Sequence, residues 1–90
     1  MEILQNEMDE KKTEKIKEII QNTYDSLNKR GEIADNIKEK MKEAFPKIKW
    51  SVIIYVVGSA NVAFNDNNFF KCIMKNKDGN EDRIIVSGLI

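Results

Sequence analysis

The sequence predicts an α+β domain: two N-terminal helices, then an antiparallel sheet of four strands, or five if the first residues also pair. Three observations carry this. Apolar residues recur at helical spacing between Thr13 and Phe45. Pro46 ends that pattern, since the residue before a proline is pushed out of the helical region. From Trp50 onward, short apolar runs alternate with clusters of Asn, Asp and Gly, as strands joined by turns do.

Residues 1–10 show no periodic apolar face and read as a mobile tail or an outer strand. In the first helix Ile16, Ile19, Ile20, Thr23, Tyr24 and Leu27 make one face. Thr13 is its expected N-cap. Lys29 and Arg30 suit the negative helix end and Gly31 suits a C′ position, so this helix is expected to end near Arg30. The second helix buries Ile33, Ala34, Ile37, Met41, Ala44 and Phe45 and leaves Lys38, Glu39, Lys40, Lys42 and Glu43 wet.

Trp50 to Val57 is the first strong strand. Val52, Ile54 and Val56 point one way, Ile53, Tyr55 and Val57 the other, so both faces are apolar. Such a strand needs cover on both sides. The chain has only two helices to offer, which predicts a second copy of the chain on the other face. Gly58-Ser59 is a break, Ala60 to Phe64 a short strand, and Asn65 to Asn68 a polar turn. Phe69 to Lys75 and Arg83 to Ile90 are the remaining strands, joined by the hairpin loop Asn76 to Asn80.

Composition narrows the function. Ninety residues, 41% hydrophobic and 33% charged, make one globular domain spanning 1–90. Fifteen basic residues balance fifteen acidic ones, so no net field draws the chain to nucleic acid or to an anionic membrane. No apolar run approaches the ~18 residues of a membrane span. The start, Met1-Glu2-Ile3-Leu4, does not read as a signal peptide, and the single cysteine suits a reducing compartment; a cytosolic protein is expected. There is no histidine, which removes the commonest general base and metal ligand. No enzyme, metal or cofactor is expected.

Each candidate site has an ordinary reading beside it. Trp50 is expected to anchor helix to sheet. Lys38, Lys40, Lys42, Lys47 and Lys49 interleave with Glu39 and Glu43 and read as a solvated face. Cys72 alternates with Phe70 and Met74 and reads as a small core residue, with no histidine to activate it. Asp78-Gly79 reads as a turn, because the terminal bidentate Glu of a calcium loop is missing. Ala60 to Phe64 is either an ordinary inner strand or an open edge that takes up an extended peptide by strand addition.

Taken in order, these parts resemble the dynein light chain type 1 family over about residues 13–88. Glu32-Ile33-Ala34, Ile37-Lys38, Phe45, Pro46 and Trp50 match the family's second helix and the turn after it. Ile53, Ile54, Gly58 and Ser59 match its apolar strand and the Gly-Ser that follows. Ser87-Gly88 match its end, with Leu89-Ile90 added. The resemblance implies a strand-swapped homodimer and a non-catalytic hub. Extended peptides, from dynein intermediate chain and other partners, would add as strands in microtubule-associated motor complexes of the cytoplasm and cytoskeleton. By the same resemblance, Gly58, Ser59, Ala60, Asn61, Val62, Ala63 and Phe64 form the exchanged, peptide-binding strand. Phe69, Lys71 and Ile73 form the groove wall, and Glu32, at the start of helix two, lies close to the peptide. The sequence departs from the family pattern at Ser51, where the family has His, at Ala60, where it has Tyr, and at Lys71, Ile73 and the longer 76–80 loop. One residue is inserted before Trp50 and one lost before Gly58. The rivals are a Tctex-type light chain, whose helices usually have a longer link, and a structural assembly subunit that has lost general peptide binding.

Overall fold

The computed structural model describes residues 1–56 and 68–90. The elements are β1 (Glu2–Asn6), α1 (Glu10–Ser26), α2 (Arg30–Ala44), β2 (Lys49–Tyr55), β3 (Phe69–Lys75) and β4 (Glu81–Leu89). Two helices pack on one face of a four-stranded antiparallel sheet of order β1-β3-β4-β2. The N-terminal residues are therefore an outer strand, paired with β3 through Ile3 opposite Cys72 and Asn6 opposite Phe70. The short strand expected at Ala60 to Phe64 lies outside the described residues.

Helix α1 starts earlier than the sequence predicts. Asp9, not Thr13, is its N-cap: its carboxylate accepts from the Lys12 amide at 2.8 Å. That hydrogen bond, aided by the Lys12 ammonium, holds the Asp9 carboxyl below its ordinary range. The helix also ends earlier, at Ser26 rather than near Arg30. Leu27 turns extended (φ −124°, ψ 155°), and its amide still reaches the Thr23 carbonyl at 2.9 Å. Leu27 packs against the core, and that contact draws the chain out of the helix. Lys29 and Arg30 consequently belong to the start of α2, and Gly31 lies in its first turn rather than at a C′ position.

The predicted helix faces turn inward, with Leu27, Ala34, Ala44 and Phe45 at their half-buried margins. Ile16, Ile19, Ile20, Thr23 and Tyr24 of α1 and Ile33, Ile37 and Met41 of α2 are buried. They meet Trp50, Phe70, Cys72, Ile84 and Val86 from the sheet. Each fully buried isoleucine is worth ~1.5–3 kcal/mol relative to exposure. Trp50 is the anchor the sequence predicts. Its indole N–H donates to the Phe45 carbonyl at 3.2 Å, and the two rings lie 6.2 Å apart, tilted by 58°. It sits opposite Gly88, where a side chain would run into Ile48 and the indole ring.

The 76–80 segment is the expected hairpin loop. The Asn76 amide donates to the Asn80 carbonyl at 2.8 Å, and the Asn76 side-chain oxygen accepts from the Asp78 and Asn80 amides. Gly79 takes a positive φ of 83°, which a side chain would resist.

Candidate functional site

Strand β2 is an edge strand. On one side its residues pair with β4, from Lys49 opposite Leu89 to Tyr55 opposite Arg83. On the other side no described strand pairs with it. Its alternation follows the prediction. Trp50, Val52 and Ile54 face the helices and join the core, which leaves Ser51, Ile53 and Tyr55 on the opposite, outer face. Ile53 and Tyr55 are half-buried there, and Ser51 is exposed.

The register lays out that outer face in three rows. Ser51 stands opposite Ser87, which stands opposite Phe69; Ile53, Ile85 and Lys71 make the second row; Tyr55, Arg83 and Ile73 the third. The three residues assigned to a groove wall, Phe69, Lys71 and Ile73, therefore share this face. They do not border β2, because β4 intervenes and brings Ile85 and Ser87 between them. Ile85 and Ser87 are each 1% exposed, although the helices lie on the other side of the sheet. The Ser87 hydroxyl, the Tyr55 hydroxyl and the Asn68 side-chain carbonyl are buried without a hydrogen-bond partner among the described residues. A buried polar group left so costs ~1–3 kcal/mol.

Glu32 is not on this face. It is exposed in the first turn of α2, in the helix layer. Gly58, Ser59, Ala60, Asn61, Val62, Ala63 and Phe64 lie outside the described residues.

The ordinary readings of the remaining candidates fit the structure. Cys72 is fully buried, and burial pushes its thiol up to about 12. Lys38, Lys40, Lys42, Lys47 and Lys49 are exposed, and Lys40 lies 3.8 Å from Glu43. Among the described residues no group of acidic or cysteine side chains is arranged to hold a metal, and no helix is long and apolar enough to cross a membrane.

Sequence reasoning missed one cluster. Asp82, fully buried on β4, accepts from the Tyr24 hydroxyl at 2.9 Å, the Arg30 Nε at 2.9 Å and the Asn76 side-chain amide at 3.3 Å. Burial and the bond to Asp82 drive the Tyr24 phenol far above its ordinary range. A signal was there: Asp82 is in phase with Ile84 and Val86, the core-facing side of the strand. Starting the last strand at Arg83 hid it.

No family model matches the chain, and no curated protein matches it.

Proposed function

We propose that this chain is a non-catalytic light chain of the dynein type 1 form, a homodimeric hub that takes up extended peptides by strand addition. The observation that carries the reading is β2, a strand apolar on both faces that stands at the edge of the sheet. Its inner face meets the helices. Its outer face carries Ile53 and Tyr55 beside the buried Ile85 and Ser87. A second copy on that face would cover what remains accessible of the half-buried Ile53 and Tyr55. The β1-β3-β4-β2 order favours a lent strand, because the backbone edge of β2 is free for one among the described residues.

Within the dimer the segment Gly58 to Phe64 would supply that lent strand and present its far edge to a peptide. Main-chain hydrogen bonds would give affinity, and neighbouring side chains would set preference. Lys71 and Ile73 stand where the resemblance expects aromatic walls, so the preferred peptide differs from that of other members. The partners are dynein intermediate chain and other extended segments, and the setting is the microtubule-associated motor complex of the cytoplasm.

Two measurements test this. Sedimentation equilibrium at micromolar concentration should give twice the 10.4 kDa chain mass. Ile53→Lys, which places a charge on the outer face and leaves the helix side untouched, should give a folded monomer. Calorimetric titration with a dynein intermediate-chain peptide should show binding by the wild type and none by the monomer. A wild-type monomer at that concentration removes the dimer. A dimer that takes up no peptide leaves the assembly-subunit reading.

A further inference from the structure

Strand β1 stands at the end of the sheet away from β2. None of its five residues is buried; Ile3 is 43% exposed and Leu4 42%. Its register with β3 also shifts between Ile3 and Gln5. The strand it lies along is the opposite case: Phe70 and Cys72 of β3 are fully buried and paired with β4 on the other side. The corner that follows β1 is firm as well. Met8 is part of the core, and its amide donates to the Asn6 side-chain oxygen at 2.9 Å. The Asn6 side-chain amide donates to the Thr13 hydroxyl at 3.0 Å, and the Glu7 amide to the Phe69 carbonyl at 2.8 Å. A thinly packed strand thus runs from a fixed corner along a buried one. Segments with few buried apolar contacts are the first to open.

What β1 covers is a hydrogen-bonding edge. The Phe69 carbonyl faces the β1 side, while the Asn68 carbonyl accepts from the Gly88 amide at 2.9 Å on the β4 side. Alternation then turns the N–H and C=O of Lys71 and Ile73 toward β1, and those of Phe70 and Cys72 toward β4. We propose that β1 is a displaceable strap over a strand-addition edge on β3, and that the partner is an extended peptide with an acidic residue opposite Lys71. The sequence of β1 is the template, with apolar Ile3 opposite the buried Cys72 and polar Gln5 opposite Lys71. It is an imperfect occupant. The Gln5 side-chain amide donates to Glu7 at 3.4 Å, and Lys71 has no ion pair among the described residues. Opposite charges facing each other across two strands attract, so an acid at that place pairs better than Gln5 does. The covalent link to the corner gives β1 a high local concentration, and a competing segment needs that advantage to displace it. This edge is not the one beside β2, so the inference stands apart from the proposed dimer.

Hydrogen exchange and a peptide titration on the full chain test this. In the wild type the Lys71 and Ile73 amides should exchange at least about tenfold faster than those of Phe70 and Cys72. A synthetic peptide of residues 1–7 carrying Gln5→Glu should bind and slow the Lys71 and Ile73 amides. The unsubstituted peptide should bind about threefold more weakly. Ile3→Gly with Leu4→Gly in the full chain weakens the strap and spares the core, because neither side chain is buried. Affinity for the acidic peptide should then rise about tenfold, as the edge is open more of the time. Lys71→Gln should erase the difference between the two peptides. Lys71 and Ile73 amides as slow as those of Phe70 and Cys72 overturn the strap. An affinity that does not rise in the double glycine variant shows that the peptide does not take β1's place, and overturns the docking edge. Equal binding of the two peptides by the wild type overturns the acidic partner.

Discussion

Trp50 joins two layers with one side chain. Its ring packs on Phe45 and fills the space that Gly88 leaves open, and its N–H returns to the Phe45 carbonyl. Trp50→Ala should cost ~3–5 kcal/mol, read as a lower midpoint in urea. That is a large share of the ~5–15 kcal/mol typical of a domain. Cys72 gives a pH prediction. Burial pushes its thiol up to about 12 from an ordinary value of 9.0, so the folded state holds its proton more tightly. Stability from this group is whole below pH 9 and falls as pH rises from 9.0 toward 12. Tyr24, also raised, acts in the same direction at still higher pH. Denaturant midpoints should therefore fall on the alkaline side, and less steeply in Cys72→Ala than in the wild type. The native thiol should also resist alkylation at pH 8 until the protein is unfolded.

The two helices begin by different means. Asp9 starts α1 with a side-chain cap, as local rules require. Helix α2 has Lys29 at that position, with extended dihedrals (φ −91°, ψ 130°) that suit a capping residue, and no cap bond. Lys29→Asp should supply one and also match the sign of the macrodipole. The expected gain is ~0.5–2 kcal/mol, read as a higher melting midpoint. No gain would mean that Arg30 and Asp82 already hold the turn as firmly as a cap can. Among the strands, β2 differs from β4 in its neighbours. Strand β4 is paired on both sides, whereas β2 is paired on one among the described residues. The edge position is therefore a property of β2's place in the order of described strands, not of its residues.

At the scale of the molecule, the sheet has one face under helices and another that is partly apolar and carries buried hydroxyls without a partner among the described residues. The proposed dimer would cover the half-buried Ile53 and Tyr55 of that face. It would also ignore mild acid. The chain has no histidine, and Ser51 stands where the family resemblance expects one. Nothing with an ordinary pKa between about 5.5 and 7 is present to charge at the interface. Sedimentation at pH 7 and at pH 5.5 should give the same mass. Dissociation in that window would assign control of the interface to an acidic side chain with a raised pKa.

The sequence by itself determined the fold class, both helix faces, the Trp50 anchor, the 76–80 hairpin and the burial of Cys72. Each follows from periodicity or from the chemistry of a single residue, and periodicity survives folding because the core rewards the same faces. The tertiary structure decided what those rules do not contain. Leu27 leaves the helical path because it gains a contact with the core, so α1 stops short of the cations that suit its end. Arg30 starts a helix because a carboxylate more than fifty residues away, on β4, receives it. The residues assigned to a groove wall fall on one outer face, but β4 separates them from β2, and Glu32 lies in the other layer. Neighbourhood across a sheet depends on strand order, and strand order is a choice among pairings that no local pattern encodes.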